Sequence, residues 1–289
     1  MKRSNKIVDA NHCPKILNVN PRSIYNKINE LKTFVIEESI DLVCISESWE
    51  REDLPLDAIF NLDNYVVISN VAQRKGVGGR PAIIVNTDKY VVDNLTQSKI
   101  SIPWGVEIVW AFLTPKDASN SSKVRNIAVA SVYCKPNSRK KTVLLDHIAE
   151  VFHSLSAKYQ SVNWIIAGDT NELKLTQILN LSSSLKQCVN EPTRLNPPAI
   201  LDPIITDLHS YYHDAKCIPP LDVDDDKEGV PSDHLMVIME PISNMSNTKQ
   251  RNKRKIEFRP LNENGFLLLE EMLKRSEEHT SELQSQFRI

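Results

Sequence analysis

The sequence predicts an α+β, or mixed α/β, fold with helices on the outside of two stacked sheets. Three observations predict it. Short apolar runs bounded by polar residues recur at strand length. Two longer stretches instead carry apolar residues at helical spacing. With 289 residues, 41% hydrophobic and 25% charged, the chain can bury a core as an ordinary globular protein does.

The elements follow in order. Residues 16–19 form a first strand, and Ile24, Ile28, Leu31 and Val35 mark an amphipathic helix over 23–38. Residues 42–45 form the second strand, followed by 65–68, 82–85, 107–113 and 127–133. Leu144, Ile148, Val151, Phe152 and Leu155 mark a second helix. Residues 164–167 form a buried strand ending at Gly168, and 204–206 and 235–239 complete nine strands. Pro203 removes a ladder donor and predicts an edge or bulge beside 204–206. The sequence contains no internal repeat.

Composition narrows the function classes. No stretch approaches the roughly 20 apolar residues of a membrane helix. Residues 1–13 form a basic N-terminal extension without the apolar run of a secretory signal. The five cysteines, Cys13, Cys44, Cys134, Cys188 and Cys217, are odd in number and widely spaced. They read as reduced thiols of a nuclear or cytoplasmic protein, not as a zinc site. Residues 7–242 hold 23 Lys and Arg against 30 Asp and Glu, whereas 243–260 hold six basic residues and one acid. The main body therefore lacks the overall basic footprint of a nucleic-acid binder. Carboxylates that hold a cation would account for part of the excess.

The acid run 222–228 lacks the ligand spacing of a calcium loop and reads as a solvated loop. The globular domain is expected to span 14–242, with a basic linker over 243–274. The tail 275–289 begins like the in-frame translation of a sequencing adapter and is excluded from the fold.

Polar residues recur where the strands end. Asn18 and Asn20 close the first, Glu47 follows the second, and Asp169 and Asn171 follow Gly168. Asp202 precedes residues 204–206, and Asp233 and His234 precede the last strand. A lone carboxylate at a strand end is ordinarily a turn or a helix cap. Several at the rim of one sheet are costly unless paired or holding a cation.

The set, in this order, resembles the endonuclease/exonuclease/phosphatase family from about Lys15 to Ile242. The match is strongest to the apurinic/apyrimidinic-endonuclease-like domain of non-LTR retrotransposons. The carrying segments are Asn20-Pro21-Arg22-Ser23 with Asn26, Lys27, Glu30 and Leu31, then Ser46-Glu47-Ser48-Trp49 and Gly78-Gly79 before the strand at 82–85. They continue with Ser131 and Tyr133, Gly168-Asp169-Thr170-Asn171, Pro192-Thr193-Arg194, Leu201-Asp202 and Ser232-Asp233-His234.

The resemblance implies a four-layer α/β/β/α sandwich and a Mg2+-dependent DNA endonuclease, with Mn2+ as the alternative ion. It implies Glu47 as principal metal ligand, with Asn20 and Asp233 nearby. His234, oriented by Asp202, would contact the phosphate or act as base. Asp169 would activate water or protonate the leaving oxygen, a choice the sequence leaves open. Asn171 and Tyr133 would hydrogen-bond the transition state. Arg22, Lys27 and Arg194 are candidate phosphate contacts. Arg22 stands where repair enzymes carry an acidic second ligand, which speaks against a two-metal scheme. The family implies DNA as partner, no membrane, and a reverse transcriptase in the parent polypeptide. Two alternatives remain open: another phosphoesterase of the superfamily, or an inactive nucleic-acid-binding remnant.

Overall fold

A computed structural model describes residues 10–69, 79–118, 122–124, 126–223 and 231–242. All lie in the unit Met1–Asn244. The acid run beyond Val223, the basic linker and the tail lie outside the described residues.

The strands are β1 (Ile16–Val19), β2 (Leu42–Ile45), β3 (Tyr65–Ser69), β4 (Ala82–Asn86), β5 (Tyr90–Asn94), β6 (Glu107–Pro115) and β7 (Ile127–Tyr133). They continue as β8 (Asn163–Asp169), β9 (Lys186–Gln187), β10 (Arg194–Leu195), β11 (Pro198–Ala199), β12 (Ile204–Thr206), β13 (Lys216–Ile218) and β14 (Met236–Met239). The helices are α1 (Ile28–Glu37), α2 (Leu56–Phe60), α3 (Leu95–Ser98), α4 (Lys141–Lys158) and α5 (Leu175–Leu179). One six-stranded sheet runs β13-β14-β1-β2-β4-β3, the other β5-β6-β7-β8-β12-β9, and β10 and β11 form a separate hairpin.

Alternation along each strand builds the layers. Ile16, Leu42, Cys44, Ile83 and Val85 of the first sheet meet Val109, Ala111, Val129, Ile165 and Ala167 of the second in one buried cluster. The intervening residues Leu17, Val43, Ile45 and Ile84 face outward and pack with Leu31 and Val35 of α1 and with Leu56 and Phe60 of α2. On the other side Trp110, Ala130, Trp164 and Ile166 pack with Leu144, Ile148, Val151 and Phe152 of α4. The result is the expected α/β/β/α sandwich of two mixed sheets. Both faces of each sheet are covered, which explains why its central strands read as continuous apolar runs. Among the described residues no helix is long and apolar enough to cross a membrane.

Two expectations are corrected. The first helix begins at Ile28, not at residue 23. Arg22 and Ser23 adopt positive φ (45° and 83°). The N–H groups of Ser23 and Ile24 donate to the carbonyls of Glu47 and Ser48 at 3.1 Å, so the segment is tied to the loop after β2. β12 is not an edge strand, since it pairs with β8 on one side and β9 on the other. Pro203 sits just before it, where its missing N–H breaks no ladder, and its carbonyl accepts from Asn18 Nδ2 at 3.4 Å.

Candidate active site

Topology gathers the polar strand ends. β1 runs parallel to β2 and β7 parallel to β8, while β14 is antiparallel to β1 and β12 to β8. The ends of the first four and the starts of the last two therefore share one rim. Two contacts tie the sheets near it: Asn18 to Pro203, already described, and Ser131 Oγ donating to the Ile45 carbonyl at 2.8 Å.

Gly168 shapes the exit of β8. Its φ is +130°, and a Cβ there would lie 2.0 Å from the Val132 carbonyl oxygen. Only glycine lets the two strands approach this closely while the chain turns to present Asp169.

Asn20 stands at the centre. Its Nδ2 donates to Glu47 Oε1 and to Asp169 Oδ2, both at 2.9 Å, and its Oδ1 accepts from the Arg22 N–H at 3.1 Å. Glu47 also accepts from Trp49 Nε1 at 2.9 Å, and Asp169 from the Asn171 N–H at 3.1 Å. Asn171 Nδ2 in turn donates to the Cys134 carbonyl at 3.0 Å. Tyr133 is in register with Asp169 on the neighbouring strand.

The second half of the site is buried. His234 Nδ1 meets Asp202 Oδ2 at 2.7 Å, and the same oxygen accepts from Thr193 Oγ1 at 2.7 Å. The Thr193 hydroxyl accepts from the N–H groups of Leu201 and Asp202 at 2.9 and 3.1 Å. Asp202 Oδ1 is buried without a hydrogen-bond partner. Ser232 Oγ donates to the Asn20 carbonyl at 2.6 Å and accepts from the His234 N–H, joining the two halves. Ligand atoms of Asp169, Asp202 and His234 lie within 4.8 Å of one another.

Electrostatics follow from the crowding. Burial first, then the charges of Asp202 and Glu47, raises the Asp169 carboxyl well above the usual carboxylate range. Burial works to lower His234, but the hydrogen bond and charge of Asp202, with Asp169 and Asp233, outweigh it and carry the imidazole up to about 8. Two groups that can hold a proton near neutrality thus stand side by side, which suits proton transfer to or from a reacting oxygen.

Several expected residues lie elsewhere than expected. Asn20 turns its NH2 group toward the carboxylates, and that orientation is fixed because its oxygen meets a backbone N–H. It bridges Glu47 and Asp169 as a donor. Asp233 is half exposed and bonds Arg22 Nη1 at 3.1 Å instead of joining Glu47 and Asn20. Lys27 is fully buried, and its Nζ donates to the Pro21 carbonyl at 2.9 Å and the Ser23 carbonyl at 3.4 Å. It holds the Asn20–Ser23 loop from within and is not a surface contact for phosphate. Arg194 lies in β10, bridged through its backbone to His234, with its Nε on the Pro197 carbonyl at 3.3 Å. Thr193, Trp49 and Ser232 carry supporting roles that the sequence did not assign. Their place in the same short motifs was the available signal.

No family model and no curated protein matches the sequence. Solved structures do. The endonuclease domain of TRAS1, a telomere-specific non-LTR retrotransposon, superposes with a TM-score of 0.56 at 16% identity, over 79% of this chain and 98% of its own. The 3′ phosphatase NExo from Neisseria, bound to a product DNA hairpin, gives 0.53 at 13% identity, over 80% and 100%. The endonuclease/exonuclease/phosphatase protein from Bacteroides vulgatus gives 0.54 at 13% identity, over 80% and 99%. The chain shares its fold with these endonuclease/exonuclease/phosphatase proteins, a retrotransposon endonuclease domain among them.

Proposed function

We propose that this chain is a divalent-metal-dependent phosphodiesterase that nicks DNA, the endonuclease of a non-LTR retrotransposon. The observation that carries the reading is one amide, Asn20 Nδ2, held 2.9 Å from both Glu47 and Asp169, with Asp202 and His234 packed against Asp169. A structural ion pair would need fewer buried acids. A phosphoester hydrolase needs both halves of this arrangement, carboxylates for a cation and a proton carrier beside the reacting phosphorus.

The donor set fits Mg2+, or Mn2+ in its place. Glu47, Asp169 and Asp202 offer hard oxygens, and Asp202 Oδ1 is buried without a partner. Glu47 would be the principal ligand, held against Asp169 by the Asn20 amide, while Asp233 pairs with Arg22 at the rim. The bound ion would supply charge neutralisation at the phosphoryl oxygens.

The chain's own groups do the rest. His234, fixed by Asp202, contacts the phosphate through its Nε2. Asp169 moves the proton, from the attacking water or to the leaving oxygen. Asn171 and Tyr133 donate to the oxygens on which charge develops. Arg22 and Arg194 border the site and suit phosphate contacts. Localisation in the nucleus or cytoplasm, and a reverse transcriptase in the parent polypeptide, belong to the same proposal.

DNA as substrate is supported by the neighbours' own descriptions, a retrotransposon endonuclease and a phosphatase bound to DNA. The latter favours one second reading, hydrolysis of a terminal phosphate. Side-by-side turnover of supercoiled plasmid, RNA and a 3′-phosphorylated oligonucleotide decides between them. Nicking of the plasmid as the fastest reaction supports the proposal. Release of phosphate without nicking overturns it in favour of the phosphatase.

A further inference from the structure

Trp104 is 78% exposed, the most exposed large apolar side chain among the described residues. It sits in a tight turn, Pro103-Trp104-Gly105-Val106, closed by the Val106 N–H on the Pro103 carbonyl at 3.1 Å. Gly105 has φ +78°, the conformation a type II turn demands at its third residue. Ile102 and Val106 on either side are buried in the core beneath α4. The turn is anchored at both ends and lifts the indole away from apolar surface that would otherwise stabilise it.

The turn belongs to the catalytic rim. Glu107, the first residue of β6, is in register with Tyr133, and Tyr133 with Asp169. The loop leaving β7 starts at Cys134, whose carbonyl holds Asn171, and runs to Lys140. Lys140 Nζ lies 5.9 Å from the centre of the Trp104 ring. Lys135, Arg139 and Lys140 have no carboxylate partner among the described residues, while the next residue, Lys141, is paired with Glu172. A site rim thus carries an aromatic face and three uncompensated cations, on a protein body whose net charge is negative.

We propose that Trp104 is a stacking platform for an unpaired base of the strand bound at the site, with Lys135, Arg139 and Lys140 holding that strand's phosphates. An aromatic face accepts any base, and nearby cations track the backbone, so the contact reads strand opening and not sequence. This rests on the proposed nuclease reading. It adds a preference for DNA with unpaired nucleotides beside the scissile phosphate.

The test is binding of a short oligothymidylate and of a blunt duplex to the full chain in EDTA, followed by Trp fluorescence and by anisotropy of labelled DNA. Trp104→Ala weakens oligothymidylate binding about tenfold and removes most of the fluorescence quenching. Trp104→Phe keeps most of the affinity, and duplex binding changes by less than about twofold because phosphate contacts dominate it. Equal affinity of wild type and Trp104→Ala for oligothymidylate overturns the proposal, as does a wild type that does not bind it. Plasmid nicking in Mg2+ is scored in parallel. A chain that binds through Trp104 but never nicks refutes the nuclease reading alone, and one that nicks with Trp104→Ala binding unchanged refutes the platform alone.

Discussion

Thr193→Val isolates the support beneath the buried acid. Valine matches threonine in shape, so the substitution opens no cavity and removes only the hydroxyl. That hydroxyl donates to Asp202 Oδ2 at 2.7 Å and accepts from two buried N–H groups, those of Leu201 and Asp202. Losing a hydrogen bond to a charged group costs about 1.5–3 kcal/mol, and each buried N–H left unpaired about 1–3 kcal/mol. Partial relaxation reduces the sum, so the expected destabilisation is about 3 kcal/mol or more. The urea midpoint should fall by at least about 1 M, given slopes of about 1–3 kcal/mol per M. Thr193→Ser keeps the oxygen and should stay within about 1 kcal/mol of wild type. If Thr193→Val unfolds at the wild-type midpoint, or Thr193→Ser is as damaging as valine, the Thr193 hydroxyl does not support Asp202.

Three further outcomes follow from the geometry. Lys27→Met removes a buried cation and its desolvation cost but leaves the Pro21 carbonyl without its donor, so stability should fall by about 1–3 kcal/mol. Nicking should fall about tenfold or more, because the loop carrying Asn20 and Arg22 loses its tether; this is measured as single-turnover rate beside a thermal melt. Gly168→Ala places a methyl against the Val132 carbonyl at a φ that L residues avoid, at a cost of at least about 1–3 kcal/mol, and should lower the melting temperature by several degrees. His147 accepts from Trp110 Nε1 through its Nε2 at 3.2 Å, and burial lowers its pKa below the ordinary 6.5. The unfolded chain takes up the proton first as pH falls below about 6.5, so stability drops there and recovers as pH rises. His147→Gln should flatten that dependence in urea titrations across pH 5–7, and an unchanged slope would contradict the assignment.

The core strands were legible because both faces of each sheet are buried, which makes β1, β2, β7 and β8 continuous apolar runs. β5 carries a weak strand signal because it mixes Asp93 and Asn94 into an edge strand. The two-residue strands and the hairpin of β10 and β11 are too short to leave a period in the sequence. At the site, the order of motifs singles out Glu47, Asn20, Asp169, Asp202 and His234 as candidates, and the fold brings these side chains to one rim. Their partners were another matter. A lysine at the start of an amphipathic helix ordinarily faces water, and only the curled Asn20–Ser23 loop puts Lys27 inside. Thr193 acts across nine residues of chain through a hairpin, a distance that no spacing rule reads. The exchange of Asp233 from metal flank to Arg22 partner likewise depends on side-chain placement at the rim.

The proposed activity is hydrolysis of phosphodiesters by the Asn20, Glu47, Asp169 and Asp202–His234 arrangement with a divalent cation. The most direct test is conversion of supercoiled plasmid to nicked circles by the full chain in Mg2+, in EDTA, and after Mg2+ is restored, with Asp169→Asn and His234→Ala alongside. Nicking should disappear in EDTA and return with Mg2+, and both variants should be slower by about 10²–10⁴-fold. Full nicking in chelator, or an unchanged rate in His234→Ala, would contradict it.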